Sequence, residues 1–139
     1  METERYTIDG DVLIIKDGVD HIKDNEFKGM DKIKKVVLPS TIDSIGNGAF
    51  SGCKSLGNIN FPDGLRLIWE YAFAGCIKLK KIQFPASLEY FSKFSFHNCK
   101  GLKEVVVPSS TKIYECAFNG CDALEKVVIR DVKPILSDN

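Results

Sequence analysis

The sequence predicts an α/β fold: a right-handed solenoid of five short coils behind an N-terminal β-hairpin cap. Three observations lead there. A phenylalanine recurs at Phe27, Phe50, Phe73, Phe96 and Phe118, in steps of 23, 23, 23 and 22 residues. Apolar residues keep constant offsets from each of these rings. Four of the five copies then close on a proline, at Pro39, Pro62, Pro85 and Pro108. A fixed short period marks coils that stack, because one coil alone cannot bury its own apolar face.

Tyr6-Thr7-Ile8 and Val12-Leu13-Ile14-Ile15 flank Asp9-Gly10, a dipeptide that favours a tight hairpin turn with positive φ. Asp17-Gly18 is a second turn signal. Val19 and Ile22 already sit in the register of the repeat. Residues 1–22 are therefore expected to cap the first coil, 23–130 to form the repeats and 131–139 to be a short tail, all within one domain spanning 1–139. Val132, Ile135 and Leu136 make that tail a weak cap at best.

Within each copy, Ile22, Ile45, Ile68, Phe91 and Ile113 stand five residues before the ring. Ile33, Leu56, Leu79, Leu102 and Leu124 stand six after it. Apolar residues nine and eleven after the ring, such as Ile82 and Phe84, alternate as in a strand with one buried face. The proline ends that strand, since it carries no N–H. A second short strand is expected around Ile42 and Ile45. The block Gly-Ala-Phe-x-Gly-Cys is expected to form a helical turn with Ala and Phe inward, the α part of the fold class. Each fully buried large apolar side chain contributes roughly 1.5–3 kcal/mol, so the stacked columns dominate stability.

The segment Pro39-Ser-Thr-Ile-Asp-Ser-Ile-Gly-Asn-Gly-Ala-Phe-Ser-Gly-Cys-Lys-Ser-Leu56 resembles the repeat of the BspA-like leucine-rich repeat proteins. The likeness runs from about Val19 to Ile129, and four of five copies carry Ala/Ser-Phe-x-x-Cys-x-x-Leu. Met30 replaces the first Cys, Glu26 replaces the first Ala, and the fifth copy is one residue short. The resemblance implies a curved solenoid that binds proteins or host surfaces, often displayed on a cell envelope.

Nineteen basic residues balance nineteen acidic ones, which gives no argument for nucleic acid or an anionic membrane. No apolar run approaches the ~18 residues that span a bilayer, so membrane insertion is not expected. Met1-Glu2-Thr3-Glu4-Arg5-Tyr6 lacks a positive stretch followed by an apolar one. No Asn-x-Ser/Thr acceptor occurs either. Together these lean cytoplasmic, or cell-surface or secreted if a leader has been removed.

Four cysteines, Cys53, Cys76, Cys99 and Cys121, share one position in successive coils. Such a column has steps of ~4.8 Å and cannot surround a single zinc ion with Zn–S distances of ~2.3 Å. A row of inert buried thiols is expected instead, with Cys116 outside it and accessible. Gly46-Asn47-Gly48 and Gly52-Cys53-Lys54-Ser55 have the wrong spacing for nucleotide loops. His21 and His97 have no nucleophile at motif spacing. No catalytic residue, metal or cofactor is expected, and the lysines around Lys32–Lys35, Lys78–Lys81 and Lys100–Lys103 read as a solvated face.

What remains is surface that departs from its own repeat. Outward positions of the longer strand are Val37, Asn60, Gln83, Val106 and Val128, on the face expected to be concave. Around the shorter strand, Leu67, Trp69, Tyr71, Tyr90, Phe94 and Tyr114 stand where the second copy has Ser44, Gly46 and Gly48. Exposed aromatic clusters are enriched at interfaces. The expected function is non-catalytic binding of a protein partner through one of these two surfaces, with self-association or an adhesive role on a cell surface as alternatives.

Overall fold

The computed structural model describes residues 4–131. The tail residues Val132, Ile135 and Leu136 lie outside them. Tyr6–Asp9 (β1) and Val12–Ile15 (β2) form an antiparallel hairpin whose last pair is Asp9↔Val12. The connecting residues are therefore Gly10 and Asp11, one position later than the dipeptide that signalled the turn. Gly10 has φ 62°, the left-handed conformation that glycine adopts at no steric cost. β2 then runs parallel to Lys35–Val37 (β4), with Leu13 opposite Val36, so the hairpin enters the register of the repeat.

β4 pairs onward with Asn58–Ile59 (β6), closing a four-stranded sheet. Lys81–Gln83 (β8), Glu104–Pro108 (β10) and Lys126–Arg130 (β12) form a separate three-stranded parallel sheet. The shorter strands His21–Ile22 (β3), Ser44–Ile45 (β5), Leu67–Ile68 (β7), Tyr90–Phe91 (β9) and Lys112–Ile113 (β11) make an unbroken five-stranded parallel sheet. The chain is thus a β-solenoid of about five turns.

Between the sheets runs the core. Phe27, Phe50, Phe73, Phe96 and Phe118 stack in one file with centroid separations of 5.5, 5.2, 5.2 and 5.5 Å. Phe61 and Phe84 close on this file edge-on, at 5.6 Å from Phe73 and Phe96 respectively. Ile45, Leu56, Ile68, Leu102 and Val105 complete it and are wholly buried.

The α/β expectation is corrected at the corner block, since no helix occurs among the described residues. The reason lies in how its N–H groups are shared. Ala49, Ser51 and Cys53 donate to the residue three before them, at 3.2, 3.0 and 3.2 Å. Phe50 and Gly52, between them, donate across to Ala72 and Ala74 of the next coil at 2.7 Å. Alternate N–H groups thus leave the coil. A continuous i→i−4 ladder cannot form, and the corner is a run of linked turns that hydrogen-bond from coil to coil.

One position in this corner breaks its pattern. Ser95 stands where three other copies have Ala49, Ala72 and Ala117, and it is wholly buried with its hydroxyl unpaired. A buried hydroxyl without a partner costs about 1–3 kcal/mol. Ser95→Ala is expected to stabilise the fold by about 1–2 kcal/mol. Equilibrium urea unfolding checks this, and a loss of stability would show that the hydroxyl has a role in the coil.

Candidate binding surfaces

The strand face is less open than its alternation suggests. Gln83 and Asn60 are exposed, and Val37 and Val128 are half-buried. Val106 is a correction: it is buried, 5% exposed, at the wall of a hollow of about 230 Å³ shared with Gln83 and Arg130. Asn60 is occupied by the backbone. Its Nδ2 donates to the Leu38 carbonyl at 2.9 Å and its Oδ1 accepts the Leu38 N–H at 2.8 Å. An amide side chain stands in for a ladder partner there, and the sheet is interrupted between β6 and β8. Of these five residues, Val106 is withdrawn from solvent and Asn60 is engaged by the backbone.

The aromatic residues do come together. In-register pairing of β5, β7, β9 and β11 places Leu67 beside Ser44 and Tyr90 beside both Leu67 and Lys112. Trp69 meets Tyr90 edge-on at 5.5 Å, and Tyr90 meets Tyr114 edge-on at 5.5 Å, giving a ridge along three coils. Next to it, Tyr71 and Phe94 stack at 5.2 Å and 11°, with His97 edge-on to both. Trp69, Tyr71 and Tyr114 are 37, 43 and 40% exposed. Leu67, Tyr90 and Phe94 are half-buried beneath them. Burial, then the neighbouring Tyr114 and Glu89, hold the Tyr90 hydroxyl above its ordinary pKa.

The backbone under two of these rings is unusual. Asn25, Gly48, Tyr71, Phe94 and Cys116 share one repeat position, with φ of 58, 62, 58, 58 and 63°. The left-handed region suits Gly and Asn, but costs other residues roughly 1–2 kcal/mol. The first two copies use those two tolerant types. Tyr71 and Phe94 are bulky residues kept in a conformation that the fold imposes. Sequence reasoning missed this strain, although Asn25 and Gly48 at the same position were its signal.

The aromatic files begin abruptly at the third coil. Beside Tyr71 a hollow of about 310 Å³ lies over Gly48, bordered by Asn25, Asn47, Ser51 and Glu70. Beside Trp69 a second, of about 440 Å³, lies over Gly46 and is bordered by His21, Lys23, Asp24 and Ser44. Gly46 is demanded by contact. A Cβ there would lie 2.6 Å from Asp24 Oδ1 and 2.8 Å from the Ile22 carbonyl oxygen. Asp24 Oδ1 accepts the Asn47 N–H at 2.8 Å, and Asn47 Oδ1 accepts the Glu70 N–H at 3.1 Å, so the glycine-containing turn ties three coils together.

The cysteine column has its own structural task. The thiols of Cys53, Cys76, Cys99 and Cys121 donate to the carbonyls of Phe27, Phe50, Phe73 and Phe96, at 3.3, 3.2, 3.2 and 3.1 Å. Each thiol therefore reaches back one coil and satisfies a corner carbonyl. Burial pushes the Cys53 thiol up to about 11 and the Cys76 thiol well above its ordinary range, which suppresses the reactive thiolate. Cys116 is exposed, outside the column. His21 Nδ1 lies 2.7 Å from Asp20, and His97 Nδ1 lies 3.1 Å from Asn119 Nδ2. Among the described residues no cluster of three or more His, Cys, Asp or Glu side chains is placed to hold a metal ion. Lys34, Lys81 and Lys100 reach Asp11, Glu104 and Asp122, respectively, on adjoining coils. None of the helices a bilayer crossing would need occurs among the described residues.

Comparison with known proteins agrees with this architecture. The pattern described as "BspA type Leucine rich repeat region" matches residues 20–138 in six copies. A leucine rich cell surface protein from Faecalibacterium prausnitzii is similar, with 34% identity and a TM-score of 0.82 over 86% of this chain and 32% of that one. The leucine rich repeat protein of T. pallidum is 29% identical, with a TM-score of 0.75 over 91% and 79% of the two chains. A leucine-rich repeat protein from Bacteroides ovatus shares the fold at 24% identity and a TM-score of 0.73, over 92% and 40%. The chain spans about a third of the length of the Faecalibacterium protein. No curated protein matches it.

Proposed function

Because the chain belongs to the BspA-type leucine-rich repeat family, we propose that it is a non-catalytic recognition module that binds a protein partner through its aromatic flank. The observation that supports this is the pair of exposed aromatic files, in which Tyr71 and Phe94 keep a left-handed backbone that the first two copies leave to Asn25 and Gly48. Strain retained at an exposed cluster is characteristic of sites selected for something other than stability. The strand face is the weaker candidate, because Val106 is buried and Asn60 is engaged by Leu38.

Surface display, rather than the cytoplasmic setting suggested by the N-terminus, is the proposed location. Its support is the likeness to the Faecalibacterium cell surface protein, which also favours an adhesive role within a longer protein as the second reading. The hairpin is the proposed N-terminal cap. Leu13 and Ile15 are buried, and Tyr6 packs edge-on against Phe27 at 5.0 Å.

Trp69→Ser combined with Tyr114→Ser removes the exposed ends of the ridge. The double variant is expected to keep its far-UV circular dichroism while losing, by at least tenfold, the proteins that the wild-type chain retains from a cell-surface extract. Sedimentation of both forms separates partner capture from self-association. Retention of the same proteins by both forms would sink the ridge as the binding site.

A further inference from the structure

We propose that the step between the second and third coils is a carbohydrate site, in which Tyr71 and Trp69 stack on successive pyranose rings of a short saccharide. This goes beyond the protein-binding ridge of Trp69, Tyr90 and Tyr114, with which it shares Trp69, and rests only on the aromatic flank being the recognition face. Tyr71 has one ring face against Phe94, in a file whose spacing is 5.2 Å. The next place in that file, one coil earlier, belongs to Gly48, which has no side chain of its own and is overlain only by the Asn25 amide. The hollow of about 310 Å³ lies there, alongside Tyr71. Two residues earlier, Trp69 borders the hollow of about 440 Å³ over Gly46, its ring edge-on to Tyr90 rather than stacked. Two aromatic rings thus border a shelf kept low by glycine.

The border of the shelf selects the chemistry. Among the described residues, the side chains of Asn25, Lys28, Ser51 and Glu70 line the first hollow without a hydrogen-bond partner in the protein. A pyranose ring offers an apolar C–H face to an aromatic wall and a belt of hydroxyls to amides, a carboxylate, a hydroxyl and an ammonium group. An aromatic side chain would cover the wall but leave these groups unanswered. A nucleotide would bring its phosphates to hollows where Lys28 and Lys23 are offset by Glu70 and Asp24, on a chain with no net charge.

Trp69 is the only tryptophan of the chain, so its fluorescence reports this site directly. The experiment titrates the full chain with maltose, cellobiose, lactose, chitobiose and mannobiose. A saturable change in emission with at least one disaccharide is expected. Tyr71→Phe, which keeps the wall, should retain it within about threefold, while Tyr71→Asn and Gly48→Asn should weaken it more than tenfold. Asn is accepted at this left-handed position, as Asn25 shows with φ 58°. The Cβ added at Gly48 presses only on the movable Asn25 amide. Gly48→Asn leaves Tyr90 and Tyr114 untouched, so protein capture through the ridge should survive it. Loss of protein capture with sugar binding intact would overturn the ridge alone. No response to any of the five sugars, or a response unchanged in both Asn variants, would overturn the carbohydrate site.

Discussion

Phe73→Ala is expected to destabilise the protein by about 3–5 kcal/mol. The ring is wholly buried and central to its file, stacked 5.2 Å from both Phe50 and Phe96 and met edge-on by Phe61 at 5.6 Å. Its removal takes away three ring contacts and leaves a cavity that two hydrogen-bonded sheets cannot close. In a solenoid each coil touches only its neighbours, so a cavity in the middle coil also weakens the connection between the two halves. Urea unfolding followed by Trp69 fluorescence and by far-UV circular dichroism should show a lower midpoint, with the two transitions separating as cooperativity fails. A loss below about 1 kcal/mol would mean that the phenylalanine file is not what holds the coils together.

The opposite outcome is expected one turn away. Replacing both Tyr71 and Phe94 by Asn removes two large rings, yet should change stability by no more than about 1 kcal/mol. Two effects oppose each other. The stacked pair contributes about 0.5–1.5 kcal/mol beyond its burial. The left-handed backbone costs a bulky residue roughly 1–2 kcal/mol at each position, and Asn relieves much of that. Recognition by the aromatic flank should nevertheless be lost, because the stacked file is gone while the core beneath it is intact. Thermal unfolding and protein capture measured on the same preparation decide the matter. A large drop in melting temperature would mean that these rings are structural covers for the coils.

Most of the architecture was legible because periodicity is a property of sequence. The 23-residue step of the phenylalanines required in-register stacking. The apolar offsets identified both strands, and the cysteine column followed from the same register. The corner was misjudged because Gly-Ala-Phe-x-Gly-Cys has helix-compatible spacing. Whether Phe50 donates within its own turn or across to Ala72 depends on the neighbouring coil being present. Val106 was misplaced for a related reason, since alternation gives the side of a strand but not what packs against that side.

For the binding surface, the sequence located the aromatic residues by their departure from the repeat, at Trp69, Tyr71, Tyr90, Phe94 and Tyr114. It could not order them into an edge-on ridge and a stacked pair, because that depends on side-chain directions across coils. Nor could it identify the hollows over Gly46 and Gly48, which exist only where a glycine of one coil meets the aromatic wall of the next. By itself the sequence determined a stack of like coils with one buried column, since repetition and hydrophobic offset are local and additive. The tertiary structure alone decided which N–H groups crossed between coils, which rings carried strain, and which face of the stack was left open. Each of those is set by contacts between residues about 23 positions apart, and such contacts exist only once the coils have closed on one another.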